Sequence, residues 1–87
     1  MIWTLNNKQK HFLVDNEYVT RKSVDSLNTI NWEDYYIDNF EWKLDLSYNR
    51  YYMNDLILIN KDTNEEDFRI MLNFQVNDTD LTTLMNL

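Results

Sequence analysis

The stretch that decides the fold runs from Phe40 to Val76 and contains three segments of strand character. They read FEWKLDLSY (40–48), YYMNDLILI (51–59) and FRIMLNFQV (68–76). Apolar and polar residues alternate in the first and third segments, and successive side chains of a strand point to opposite faces. The stretch therefore predicts a three-stranded antiparallel meander over 40–76, with one face turned to a core.

The register of the first two strands depends on the turn at 49–50. A two-residue turn there would place Leu44 opposite Asp55, and a carboxylate opposite a core leucine is costly unless it has a partner. A bulge or a longer loop near Asn54 would relieve this conflict.

The run LILI (56–59) is apolar at every position, as expected for the central strand of the meander. If Ile57 and Ile59 point to the core, the other face of the sheet carries an apolar strip beside carboxylates. That strip would consist of Tyr52, Leu56, Leu58 and Met71. Such a face suits a partner with aliphatic and basic groups, and the alternative is that a further helix covers it.

The N-terminal part of the chain also has strand character. Residues 2–5 form either a short edge strand or a loosely packed segment. The segments HFLV (11–14) and EYVT (17–20) flank Asp15-Asn16. Asparagine tolerates the positive φ of a tight turn, so this pattern predicts an N-terminal β-hairpin.

Two short helices are indicated before the meander. Ser23 can cap a helix over 24–30, in which apolar residues recur at helical spacing. Asn31 can cap a second helix, where Glu33 and Asp34 would favour the positive end of the helix dipole. A strand over 35–37 is the alternative to this second helix.

A last short helix that carries Leu81, Leu84 and Met85 can be capped by Asp78 or Thr79. The chain has no repeats and no linker, so its 87 residues predict one domain, 1–87. The predicted class is α+β, an antiparallel sheet with two or three short helices packed on one face.

The net charge of −7 is not a simple result of nucleotide bias. Gly, Pro and Ala are absent, which indicates an AT-rich genome because their codons are GC-rich. That bias should enrich Lys as strongly as Asn, yet the chain has 13 Asn and 5 Lys. We infer selection for acidity or against lysine, with selection for solubility alone as the alternative.

The charge is unevenly distributed along the chain. Residues 1–22 carry a net charge of +2 and residues 23–87 a net charge of −9. An acidic surface repels phosphates, which disfavours direct binding to nucleic acid or to an anionic membrane. With no signal-peptide pattern and no apolar run long enough to span a bilayer, we expect a soluble protein in the cytoplasm of a bacterial host.

The chain lacks most of the residue types that common catalytic sites use. Without Cys there is no disulfide, thiolate metal site or Cys nucleophile, and without Gly there is no phosphate-binding loop. His11 is the only histidine, and it would need a nucleophile or a metal beside it. The loop from Asn60 resembles the opening of a calcium-binding EF-hand loop, but Glu65 replaces its glycine and Met71 its last carboxylate. We therefore expect that the protein is not an enzyme, that it has no catalytic residues, and that it binds no metal or cofactor.

The acidity favours a small non-enzymatic protein-binding module, an inhibitor of the phage or mobile-element type. Its carboxylates would take the positions of phosphates on the basic surface of a nucleic-acid-binding protein. Small phage-encoded inhibitors of CRISPR and restriction nucleases resemble the chain in size and charge, which makes such a nuclease the expected partner. The expected partner-binding residues are Asp62, Glu65, Glu66, Asp67, Glu33 and Asp34.

The alternative is a structural or assembly protein that forms a homodimer or larger oligomer through a sheet edge or the second sheet face. Its interface would bury Leu56, Leu58 and nearby Tyr residues. The acidic run in the loop would then be no more than a solvated hairpin loop. Salt distinguishes the two hypotheses, because charge-driven docking weakens as ionic strength rises and apolar burial hardly responds.

Overall fold

The computed structural model describes residues 2–46, 53–74 and 78–87. Within these ranges the chain forms a four-stranded antiparallel sheet and three α-helices, which confirms the α+β class. The strands are β1 (Ile2–Thr4), β2 (Phe40–Asp45), β3 (Met53–Asn60) and β4 (Glu66–Asn73), in the spatial order β1-β2-β3-β4. The helices are α1 (Asn7–Asp15), α2 (Trp32–Asn39) and α3 (Asp78–Met85), and a 3₁₀ turn covers Lys22–Val24.

The predicted meander is confirmed in β2, β3 and β4. In β2 the apolar residues Phe40, Trp42 and Leu44 are buried, and the charged residues between them are only half-buried. The alternating pattern thus decides which face of the sheet packs on the core. Tyr48, Tyr51, Tyr52 and the turn at 49–50, together with the end of the third predicted segment at 75–76, lie outside the described residues.

The register between β2 and β3 differs by one residue from that of a two-residue turn. Leu44 lies opposite Leu56, and Asp55 lies opposite Asp45 on the other face of the sheet. A shift of one residue moves every side chain of a strand to the opposite face, so this register removes the carboxylate from the core. Leu56 and Leu58 are fully buried and point to the core, so the alternative in which Ile57 and Ile59 point there and Leu56 and Leu58 lie on the second sheet face does not hold.

The predicted N-terminal hairpin was also wrong, because residues 7–15 form helix α1. Asn6 caps this helix: its side-chain oxygen accepts from the backbone N–H of Gln9 at 2.8 Å, and the Gln9 side chain accepts from the Asn6 N–H at 2.8 Å. This reciprocal capping box satisfies two N–H groups that a helix start otherwise leaves unpaired. Asp15 and Asn16, interpreted as a hairpin turn, form the end of the helix, and β1 is the short edge strand.

Lys10 connects α1 to the junction of α2 and β2. It is buried, and its Nζ donates to the backbone oxygens of Ile37 and Phe40, both at 2.9 Å. Burial lowers the pKa of Lys10 below its ordinary value of 10.5, and nearby Lys61 lowers it further, against smaller opposite effects of Asp38 and Glu41. The ammonium thus satisfies carbonyls at the end of α2 that no helical N–H can reach.

The helix predicted over 24–30 does not form. The Ser23 hydroxyl accepts from the Thr20 N–H at 3.1 Å, and Asp25 adopts a left-handed conformation with φ of 53°, which ends the 3₁₀ turn. Leu27 and Ile30 consequently lie on an exposed segment.

The helix predicted after Asn31 is confirmed as α2, in place of the alternative strand, although the Asn31 side chain makes no capping bond. The last predicted helix is confirmed as α3.

The core lies between one face of the sheet and the helices. Trp42, Leu44, Leu56, Leu58 and Leu72 supply the sheet side, and the helices and loops supply Leu13, Val19, Val24, Trp32, Ile37 and Leu84. In the part of the chain that is described, none of the helices combines the length and the apolar character needed to cross a membrane.

Candidate functional site

The β3–β4 loop is a tight turn that directs carboxylates outward. The Asn60 side-chain oxygen accepts from the N–H of Asp62 at 2.8 Å, and its backbone oxygen accepts from the Asn64 N–H at 2.7 Å. Asn64 takes the left-handed conformation, with φ of 59°, which asparagine tolerates better than most residues. Asp62 and Glu65 are exposed on this turn.

The loop packs against the C-terminal end of α2. The Lys61 backbone N–H donates to the Asn39 oxygen at 3.1 Å, and Lys61 Nζ donates to the backbone oxygen of Asp38 at 2.9 Å. Asp34 and Asp38 are four residues apart on α2, so their side chains share one face of the helix. The contacts of Lys61 therefore bring this helix face and the acidic loop to the same end of the molecule.

An aromatic cluster lies beneath this end. The Tyr36 ring lies with its centroid 5.0 Å from those of Tyr35 and Phe40 and 5.6 Å from that of Phe68. Burial raises the pKa of Tyr36 above its ordinary value of 10.0, with further contributions from Tyr35 and from the carboxylates of Asp25 and Asp67. The Tyr36 hydroxyl donates to the Val24 oxygen at 2.9 Å, which brings the next residue, Asp25, beside the cluster. Asp67 directly precedes Phe68, a member of the cluster.

We call this region the acidic end. Three elements meet there: the residue after the 3₁₀ turn, the outer face of α2, and the β3–β4 loop with the start of β4. All six of its carboxylates are exposed, and none takes part in the ion pairs formed among the described residues. The acidic end consists of Asp25, Asp34, Asp38, Asp62, Glu65 and Asp67.

Large apolar side chains lie exposed along the segment between Asp25 and α2 and on α2 itself. Leu27 and Ile30 expose 68% and 85% of their surfaces, and Tyr35 is also exposed at the edge of the aromatic cluster. Exposed apolar groups beside charged groups are typical of surfaces that bind proteins. A periodicity that predicted a buried helix face instead marks an exposed apolar segment.

The structure brings some of the predicted partner-binding residues together and separates others. Asp62, Glu65 and Asp67 lie in the acidic end with Asp34, and Glu33 is half-buried in the first turn of α2. Asp25 and Asp38 were not predicted. Asp38 could have been predicted once α2 is recognised, because it lies four residues after Asp34 on the same helix face. No local sequence pattern points to Asp25.

Glu66 belongs to a different surface. Its carboxylate accepts from Arg69 Nη2 at 2.8 Å and from Nε at 3.3 Å, and Arg69 Nη1 also donates to Asp55 at 3.0 Å. The hydrogen bond from Arg69 lowers the pKa of Glu66 below its ordinary value of 4.5. This carboxylate is already neutralised within the molecule.

The face of the sheet opposite the helices is protected by its own charged side chains. Ile57 lies between Lys43 and Arg69 on the neighbouring strands and is only 7% exposed. Lys43 pairs with Glu41 at 3.6 Å, and the Arg69 pairs hold the other side. Long basic side chains can cover apolar surface with their aliphatic stems, so this face needs no helix to shield Ile57.

Among the described residues, no group of three or more His, Asp or Glu side chains could hold a metal ion. Comparison with protein-family models, with curated proteins and with solved structures found no match to this chain. The exposed carboxylates of the acidic end and the exposed apolar side chains beside them are therefore the features from which a function can be inferred.

Proposed function

We propose that this is a small non-enzymatic docking protein whose acidic end binds the basic surface of a nucleic-acid-binding protein, such as a CRISPR or restriction nuclease of a bacterial host. The binding would inhibit that protein, as expected of a nucleic-acid mimic encoded by a phage or mobile element. The proposal rests on one observation: six exposed carboxylates gather at one end and are not used in internal ion pairs.

Charge complementarity supports such docking physically. A basic groove that binds nucleic acid gains much of its affinity by neutralising phosphates, and a set of carboxylates offers the same charge. The internal hydrogen bonds of the β3–β4 loop and the contact of Lys61 with α2 hold the carboxylates in place before binding. Less conformational entropy is then lost when the complex forms.

Tyr35 and Ile30 add apolar contact area beside the carboxylates. Tyrosine is enriched among the residues that dominate binding energies, because its ring is large and its side chain has few rotatable bonds. The Tyr35 ring packs against Tyr36 at 5.0 Å and Phe40 at 6.1 Å, which limits its motion while one side stays exposed.

The experiment is affinity capture from the lysate of an AT-rich bacterium, at low and high salt and with added DNA, followed by mass spectrometry. We expect a nucleic-acid-binding protein that is lost at high salt and displaced by DNA. Binding of that purified protein to Asp62→Ser/Glu65→Ser should weaken by about tenfold or more.

The matched control is Asp15→Ser/Glu17→Ser, which removes the same charge outside the acidic end. Its affinity for the captured protein should stay within about twofold of wild type if the location of the charge matters more than its total. Equal weakening in both variants, or capture that persists at high salt and in the presence of DNA, would contradict the proposal.

A further inference from the structure

The outer edge of β4 is the longest open strand edge of the described sheet. β4 has eight residues and pairs only with β3 in the strand order, whereas the opposite edge strand, β1, has three. Between described residues, backbone hydrogen bonds outside the sheet ladders do not involve 66–72. An edge of this length offers a row of N–H and C=O groups to another strand.

The side chains of β4 also favour pairing of this edge with another strand. Phe68 and Ile70 point to the core side of the sheet, opposite Leu58 and Leu56, yet both are only half-buried. The 3₁₀ turn lies near β4 but contributes Val24 to the core beneath the sheet. An added strand beside β4 would cover the exposed parts of Phe68 and Ile70.

We propose that β4 pairs antiparallel with β4 of a second copy, which joins two sheets into one eight-stranded sheet. Side chains that lie directly opposite each other in such a pair share a face of the sheet. The core-facing residues of β4 have even numbers, so the core side stays continuous only in registers that pair even-numbered residues with even-numbered residues. Two such registers pair the largest number of residues between the two copies of β4. One of them places Arg69 opposite its own copy, and like charges directly opposite each other destabilise a strand pair.

The other register is centred on Ile70 and has no such conflict. Ile70 lies opposite its copy, Phe68 opposite Leu72, and Arg69 opposite Met71, so the core side gains an uninterrupted apolar row. Asp67 lies opposite Asn73. Cross-strand apolar pairs of this kind stabilise a sheet, and the symmetry of the dimer provides each of them twice.

This dimer is compatible with the high negative charge of the chain. In the Ile70-centred register the two copies of Asp67 are six residues apart along the strands, about 20 Å. That distance exceeds two Debye lengths at physiological ionic strength, so the two acidic ends repel each other only weakly. The inference does not depend on the proposed function.

The first test is sedimentation velocity over a range of protein concentrations, with variants at Met71, which is 64% exposed. Wild type should form a concentration-dependent dimer. Met71→Lys places a like charge opposite Arg69 of the other copy twice, and should raise the dimer dissociation constant by about tenfold. Met71→Gln, the neutral control, should change it by about twofold or less.

The second test reads the register directly. The chain has no cysteine, so Ile70→Cys introduces a single thiol that would face its own copy in the dimer. Oxidation should give a covalent dimer, whereas Thr82→Cys on exposed α3 should give none. A wild type that stays monomeric at all concentrations, equal effects of Met71→Lys and Met71→Gln, or equal cross-linking of both cysteine variants would overturn the proposal.

Discussion

Asn54 is a polar side chain placed inside the core without compensation. It is 1% exposed, lies on β3 opposite Leu72, and neither its amide nitrogen nor its amide oxygen has a hydrogen-bond partner within the described residues. A buried amide without partners costs roughly 1–3 kcal/mol. The register that removes Asp55 from the core brings Asn54 into it.

Substitution of this residue by leucine should therefore stabilise the protein. Asn54→Leu keeps the number and branching of the side-chain heavy atoms and removes both unsatisfied atoms, so the free energy of unfolding should rise by about 1–3 kcal/mol. Urea denaturation measures the change, and Asn28→Leu on the exposed segment serves as the control with an expected effect within about 0.5 kcal/mol. A less stable Asn54→Leu would mean that the amide has a partner.

At the scale of elements, the end of α1 is a helix stop built without glycine. The Tyr18 N–H donates to the Leu13 oxygen at 2.9 Å, and the Glu17 N–H donates to the Val14 oxygen at 3.1 Å. This is the Schellman pattern, whose left-handed position is usually glycine. Here Glu17 occupies it with φ of 63°, and a residue with a side chain pays for that conformation in steric energy.

Glu17→Gly should increase the free energy of unfolding by about 1 kcal/mol, because glycine adopts the left-handed conformation without a steric cost. Glu17→Ala, which loses the same charge but keeps a Cβ, should leave stability nearly unchanged. Thermal unfolding of both variants provides the comparison. If alanine stabilises as much as glycine, the gain comes from the lost charge and the backbone argument fails.

The start of α1 and its tertiary contacts explain why the hairpin predicted over 11–20 does not form. Residues 11–20 alternate well enough to suggest a hairpin, but the capping box of Asn6 and Gln9 starts a helix before them. Gln9 Nε2 then donates to the Leu84 oxygen at 3.0 Å, and Lys10 reaches the end of α2. Contacts with two distant helices thus favour α1 over a strand pair, and tertiary context commonly overrides weak strand propensity.

At the scale of the whole molecule, Tyr18 joins the N-terminal part of the chain to α3. Its hydroxyl donates to Asp80 Oδ2 at 2.5 Å, and its ring lies 4.9 Å from that of Phe74. Burial and then the hydrogen bond to Asp80 raise the pKa of Tyr18 from 10.0 to about 12. The folded protein therefore keeps this proton in a range of pH where the unfolded chain has lost it.

This linkage gives a stability that decreases at alkaline pH. The contribution of Tyr18 is complete below pH 10 and disappears as the pH rises to about 12, because the unfolded state ionises first. Tyr18→Phe should be less stable at neutral pH by about 0.5–1.5 kcal/mol. The difference from wild type should shrink between pH 10 and about 12. Urea denaturation across this range tests it, and a constant difference would contradict it.

The distribution of charge also belongs to this scale. The acidic end unites residues from Asp25 to Asp67, whereas Glu66, in the middle of the densest acidic run, turns to Arg69 on the other face. The pairing of β3 with β4 shifts register between Leu58 and Ile59, so Glu66 pairs with Ile59 and its carboxylate reaches Arg69, while Asp67 falls at this irregularity. The loop carboxylates predicted as a binding site are close together in the fold, and the role assigned to them stays a prediction.

The sequence by itself determined the meander, the burial of alternate β2 residues and α3, because period-two alternation and helical spacing are local properties, whereas it left α2 and a strand over 35–37 as alternatives. Only the tertiary structure decided the register of β3, the helix at 7–15 and the membership of the acidic end. These depend on which residues of distant segments pack together, since a one-residue shift exchanges the two faces of a strand and electrostatic interaction follows distance in space.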